Sequence, residues 1–184
     1  NIETVDESVS KLETDFKLVL TDLSNATIEK DIIDEEFYQI RAYRSAENIL
    51  GIKYNKRSES WAIGCILWDI LTGEKIFEPN LNQPSINRDR EQLSIMETYL
   101  GKINKDITME CPRSYELYEN TGKLIKNKKI KRMELNEHLA SIRDDLPEEE
   151  INQICTFLKK TWYYNHLKRL TAEELLKDEF LNIN

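Results

Sequence analysis

Asp22 has the clearest chemical setting in this chain. It follows Phe16-Lys-Leu-Val-Leu-Thr21, whose alternation predicts a short strand, and so stands at that strand's end. A hard cation such as Mg²⁺ is held by anionic oxygen on a rigid support, and a carboxylate at a strand end supplies one. On its own, Thr21-Asp22-Leu23-Ser24 also reads as ordinary turn chemistry. Cys65, Cys111 and Cys155 lie far apart and make no metal-ligand spacing with one another or with His138 and His166. That pattern predicts a reducing compartment rather than a disulfide framework. Neither histidine has a nucleophile or ligand companion nearby, so core or surface roles are expected. The basic run Lys123–Arg132 carries no interleaved aromatics and reads as a solvated loop before it reads as a nucleic-acid site.

These residues must be positioned by one domain, which 184 residues suit. With 40% hydrophobic residues the chain can build a core. The net charge of −8 is local: residues 1–36 hold eleven acids against three lysines, and the remainder holds 23 of each sign. Residues 1–15 read as an acidic leader or spacer remnant. An acidic chain favours basic protein partners over nucleic acid. The longest apolar run, Trp61–Leu71, is interrupted by Asp69 and too short to cross a bilayer, so no membrane association is expected. There is no signal-peptide pattern, and the first residue is not Met. A piece of a longer polypeptide is expected, located in the cytoplasm, with the nucleus as the alternative.

The periodicity predicts a mainly α domain with one short strand pair near the N-terminus. Ser45–Gly51 can form a short helix stopped by glycine. Ser58 can cap a helix running to Gly73, with Trp61, Ile63, Cys65, Ile66, Leu67, Trp68, Ile70 and Leu71 covering nearly every face. A helix apolar all round is expected to be buried all round. Arg88–Leu100 gives a helix with Leu93, Met96 and Leu100 on one stripe. Residues 102–146 read as irregular. Pro147 opens a helix with three glutamates in its first turn and Ile151, Ile154 and Leu158 inward. Thr171-Ala-Glu-Glu174 is a capping box for a last helix with Leu175 and Leu176 inward.

Three stretches carry a family resemblance. Arg41-Ala-Tyr-Arg-Ser-Ala-Glu47 resembles the R-x-Y-R-[SA]-P-E that ends the activation segment of protein kinases of the SR-protein kinase branch. Glu59-Ser-Trp-Ala-Ile-Gly-Cys-Ile-Leu67 resembles the central D-x-W-S-x-G-C-I-L helix of the kinase large lobe. Asp22-Leu-Ser-Asn-Ala26 is similar to the D-L-G-N-A form of the D-F-G turn, with Ser24 where glycine stands. The resemblance covers residues 16–184 and implies a kinase C-terminal lobe: activation segment 22–47, buried central helix 58–73, insert 102–146. The catalytic loop and the ATP-binding lobe have no counterpart in this sequence.

From that resemblance, Asp22 is the Mg²⁺ ligand. Arg41, Tyr43 and Arg44 shape the pocket for the substrate residue after the phosphorylated one. Glu47 is expected to form a buried structural pair with Arg169, and Trp61 to sit in the core. Glu59 stands where the family has an aspartate that supports the catalytic loop. Thr72-Gly-Glu-Lys-Ile-Phe-Glu-Pro79 resembles T-G-D-x-L-F-E-P, and this implies a groove in which Glu74, Asp89 and Glu91 dock substrate arginines. Solvated helix acids are the alternative. No catalytic residue lies in this chain on this reading.

Two functions follow. The first is part of a serine/threonine kinase that uses ATP and Mg²⁺ to phosphorylate serine in basic, Arg-Ser-like proteins, inactive without the missing N-terminal kinase segment. The second is a degenerate lobe that binds Arg-rich peptides or a partner protein, towards which Ser24, Ala46 and Glu59 lean.

Overall fold

The computed structural model describes residues 19–31, 39–125 and 133–181. The acidic leader lies outside them. The strand expected over Phe16–Thr21 begins outside them, and among the described residues the β-structure is one antiparallel bridge, Tyr118 to Leu124. The remaining regular structure is helical, so the domain is mainly α, as the periodicity predicts.

Helix α1, Ala46–Leu50, ends at Gly51, whose φ of 74° is the left-handed cap that glycine adopts without strain. Helix α2, Lys56–Thr72, is the axis of the domain. It starts earlier than Ser58: Asn55 is the cap, its side chain accepting from Arg57 N at 2.8 Å. Ser58 occupies the third position and its hydroxyl accepts from Asn55 N at 3.3 Å, which completes the capping box. Trp61, Cys65 and Trp68 recur at helical spacing and are buried. Gly64 lies between them because α2 approaches its neighbour closely there: a Cβ would stand 2.0 Å from Thr161 Oγ1.

Burial of α2 is not complete. Ile66 is 46% exposed and Ile70 74% exposed. The apolar pattern covers that face, but no described element packs over it.

Helix α3, Ser85–Leu100, begins right after Pro84, one turn before the expected start. Leu93 and Met96 enter the core, whereas Leu100 is half-buried. Residues 102–146 are not irregular throughout. They hold α4 (Lys105–Glu110), α5 (Ser114–Leu117) and α6 (Leu135–Ile142). The first two are too short for a periodic signal, and α6 buries only Leu135 and Leu139. Most of the Lys123–Arg132 run lies outside the described residues.

Helix α7, Glu148–Thr161, follows Pro147 and buries Ile151, Ile154 and Leu158 as expected, with Cys155 and Phe157. Just beyond it, Trp162 sits edge-on to Phe77 at 5.0 Å and donates from Nε1 to Trp61 O. Helix α8, Ala172–Leu175, carries the expected box: Glu174 N donates to Thr171 Oγ1 at 3.2 Å and Thr171 N to Glu174 Oε2 at 2.7 Å. Leu175 is buried, but Leu176 is 69% exposed, because the helix ends before its side chain can turn inward.

Candidate functional site

Asp22 closes the short stretch from Val19 and precedes a 3₁₀ turn, Leu23–Asn25. Its φ of 56° and ψ of 54° make it the one non-glycine residue in the left-handed region among the described residues. Aspartate tolerates this conformation better than most residues, yet it still costs about 1–2 kcal/mol. Such an outlier points to a site. Ser24 Oγ donates to Asp22 Oδ1 at 2.9 Å, and the carboxylate is exposed. Among the described residues no group of three or more acids, histidines or cysteines could hold a metal. Asp22 therefore fits one position around Mg²⁺, which takes one or two carboxylates beside phosphate and water.

Residues 39–47 are fixed by side chains from two helices. Gln39 is buried; its Nε2 donates to Ser58 O at 3.0 Å, and its Oε1 accepts from Ser45 N at 3.0 Å. Arg44 Nε donates to the Gln39 carbonyl at 3.2 Å. The 3₁₀ turn Arg41–Tyr43 is held from α3, where Gln92 Nε2 donates to Arg41 O at 2.6 Å and Asp89 accepts from Arg41 Nη1 at 2.5 Å. From α2, Asp69 accepts from the Tyr43 hydroxyl at 2.6 Å. That bond, then burial, pushes the Tyr43 phenol up from its ordinary pKa. Lys75 stands 5.5 Å over the Tyr43 ring and 3.7 Å from Asp69.

The expected arginines thus come together with two more. Burial, then the fields of Arg41, Arg88 and Arg113, lower the Arg44 pKa, with Asp89 opposing. Arg88 Nε is buried without a hydrogen-bond partner. Two carboxylates, Asp89 and Glu116, pair with Arg41 and Arg113 of this set. The unsatisfied Arg88 donor is an exception to the rule that buried polar groups are paired.

Behind this loop, Glu47 and Arg169 form the expected pair. Both are fully buried and bonded twice, Nη1 to Oε1 and Nη2 to Oε2, each at 2.7 Å. Arg169 also donates to Tyr163 O and Arg57 O and lies 5.1 Å over the Trp61 ring. Burial alone would raise the Glu47 pKa, but the guanidinium of Arg169 outweighs it and holds the carboxyl below its ordinary value. Trp61 is fully buried. Glu59 is exposed and accepts from the Tyr54 hydroxyl.

The acidic groove is arranged differently from expectation. Asp89 is 3% exposed and shared by Arg41 and Arg113, so it is not a surface acid. Glu91 Oε2 accepts from Asn80 N at 3.0 Å and Gln83 Nε2 at 2.7 Å, bracing the loop before α3. Glu74 remains outward, its side chain 62% exposed and 3.9 Å from His138 Nε2.

Gln39, Asp69, Arg88, Gln92 and Arg113 were not singled out by sequence. Asp69 left a signal, a lone acid inside an apolar helix run; the others sit in polar stretches with no distinguishing pattern.

The family model for the protein kinase domain matches residues 11–181. Among curated proteins, the serine/threonine-protein kinase spk-1 of Caenorhabditis briggsae is 27% identical over 167 residues, covering 91% of this chain and 14% of that protein. SRSF protein kinase 3 of Mus musculus is 27% identical over 167 residues, 91% of this chain and 29% of its own length. The dual specificity protein kinase lkh1 of Schizosaccharomyces pombe is 27% identical over 176 residues, 92% of this chain and 24% of its own length. The chain spans under a third of each of these relatives.

Proposed function

The chain belongs to the protein kinase domain family, of the SR-protein kinase type, and on that premise we propose that it is the C-terminal lobe of a serine/threonine kinase. It receives a basic, Arg-Ser-like protein substrate and is inactive until joined to a segment carrying the catalytic base and the nucleotide clamp. The observation that carries this reading is the loop 39–47. It holds the half-buried Arg41, Tyr43 and Arg44 on a frame closed by the buried Glu47–Arg169 pair. Phosphoryl transfer rests on positioning and electrostatics, and a rigid loop of this kind supplies positioning.

Asp22 would hold Mg²⁺, which bridges ATP phosphate oxygens and neutralises charge developing during transfer. The left-handed turn aims its carboxylate outward, and the Ser24 hydroxyl fixes its orientation. Arg41 and Arg44 orient the substrate chain through charge-assisted hydrogen bonds. Glu74 draws substrate arginines from the outer side. The uncovered Ile66 and Ile70 favour a further segment over α2, since apolar faces of a packed helix are normally buried.

A second reading is favoured by Glu59. Its bond to Tyr54 occupies the acid expected to support a catalytic loop, and a lobe so altered could bind basic peptides without transfer. Incubating the full parent polypeptide with Mg-ATP and an Arg-Ser repeat peptide separates the two. Phosphoserine formation is expected; peptide binding without transfer would replace the kinase by the binding module.

A further inference from the structure

Asp89 serves two arginines at once. Its Oδ1 lies 2.5 Å from Arg41 Nη1, on the loop, and its Oδ2 lies 2.9 Å from Arg113 Nη1, between α4 and α5. Arg113 is itself anchored on three sides. Nη1 donates to Ile49 O at 2.9 Å and the backbone N to Leu50 O at 3.3 Å, both at the end of α1. Nε and Nη2 donate to Glu116 Oε2 of α5 at 3.2 and 2.9 Å. The side chain is also packed against bare Gly51, where a Cβ would stand 3.1 Å from Arg113 Cγ.

A buried carboxylate oxygen does not stay unpaired without cost. If Arg113 vacates Oδ2, the cation already on the other oxygen can take both in a fork. Arg41 would then be drawn inward on Asp89, and the Arg41–Tyr43 turn would be pulled against the bond that Gln92 makes to its carbonyl.

We propose that Arg113 is a positioning residue for the substrate loop. By occupying the second oxygen of Asp89 it keeps Arg41 singly bonded, with Nε and Nη2 not committed to protein acceptors among the described residues. The consequence for substrate rests on the kinase reading above; the consequence for loop geometry does not.

The chain itself tests the geometry. The amides of Tyr43, Arg44 and Ser45 are bonded to Ile40 O, Arg41 O and Gln39 Oε1, so their hydrogen exchange reports the loop. Arg113→Met is expected to speed their exchange about tenfold beyond the change in the α7 amides. Arg113→Lys, which keeps a cation on Oδ2, restores most of the protection. In Arg41→Met/Arg113→Met the exchange is no faster than in the worse single variant, because both act through one carboxylate. Unchanged exchange in Arg113→Met, or additive effects in the double variant, would overturn the proposal. In the parent polypeptide, Arg113→Met should raise the KM for the Arg-Ser peptide about tenfold, with kcat and the KM for ATP within about twofold. If exchange responds as stated but the wild-type parent transfers no phosphate, the positioning stands and the kinase reading fails. If transfer is normal and the peptide KM does not move, Arg113 has no part in substrate placement.

Discussion

Arg169 and Glu47 are separated by 122 positions and meet directly through two hydrogen bonds in the core. Removing one partner strands the other charge in the core. Glu47→Gln should therefore lower the stability of the chain by about 3–5 kcal/mol in urea unfolding. The double variant Glu47→Leu/Arg169→Met should cost less than the two single changes together, since no charge is left uncompensated. This pair was legible in the sequence only through the family resemblance, because nothing in local spacing links residues so distant. Asp89 shows the opposite case. The family resemblance places this acid in a substrate groove, with a solvated helix face as the alternative, and the structure shows neither for Asp89. Its burial depends on Arg41 and Arg113 arriving from two other segments, which periodicity does not encode.

Elements were legible where caps and apolar spacing agree. The box at Thr171–Glu174 is local chemistry, and α8 forms where it predicts. The Thr171 backbone N–H, then Arg57, hold the Glu174 carboxyl down to about 2, from an ordinary 4.5. A depressed carboxyl stabilises the fold above its unfolded pKa and loses that contribution as pH falls. Thermal melting of the wild type should thus decline between about pH 4.5 and 2, and Glu174→Gln should flatten that part of the profile. Helices α4 and α5 escaped notice because six and four residues do not establish a period. The contact of α2 with α7 was equally hidden: Gly64 is a weak helix former by propensity, yet a larger residue has no room there. Gly64→Ala should cost at least about 1–3 kcal/mol in the same unfolding experiment, despite its better helix propensity, because Thr161 and Trp162 must shift.

At the scale of the whole molecule, the core is one cluster running from α1 through α2 and α3 to α7. Among the described residues, no element packs over one side of α2. The sequence pattern assigns that helix to full burial, and it is apolar as read, yet Ile66 and Ile70 stay exposed, because periodicity encodes the apolar face and not what lies against it. Replacing both by Asn should change the stability of this chain by no more than about 0.5 kcal/mol, as expected for exposed positions. The same change should sharply reduce the folded yield of the parent polypeptide, measured by gel filtration, if another segment packs there. The kinase account turns on Asp22, the strained acid at the head of the loop. The decisive measurement is phosphate transfer by the parent carrying Asp22→Ala, beside its affinity for the Arg-Ser peptide. The account predicts a loss of transfer of at least about a hundredfold with peptide affinity unchanged; transfer at the wild-type rate would contradict it.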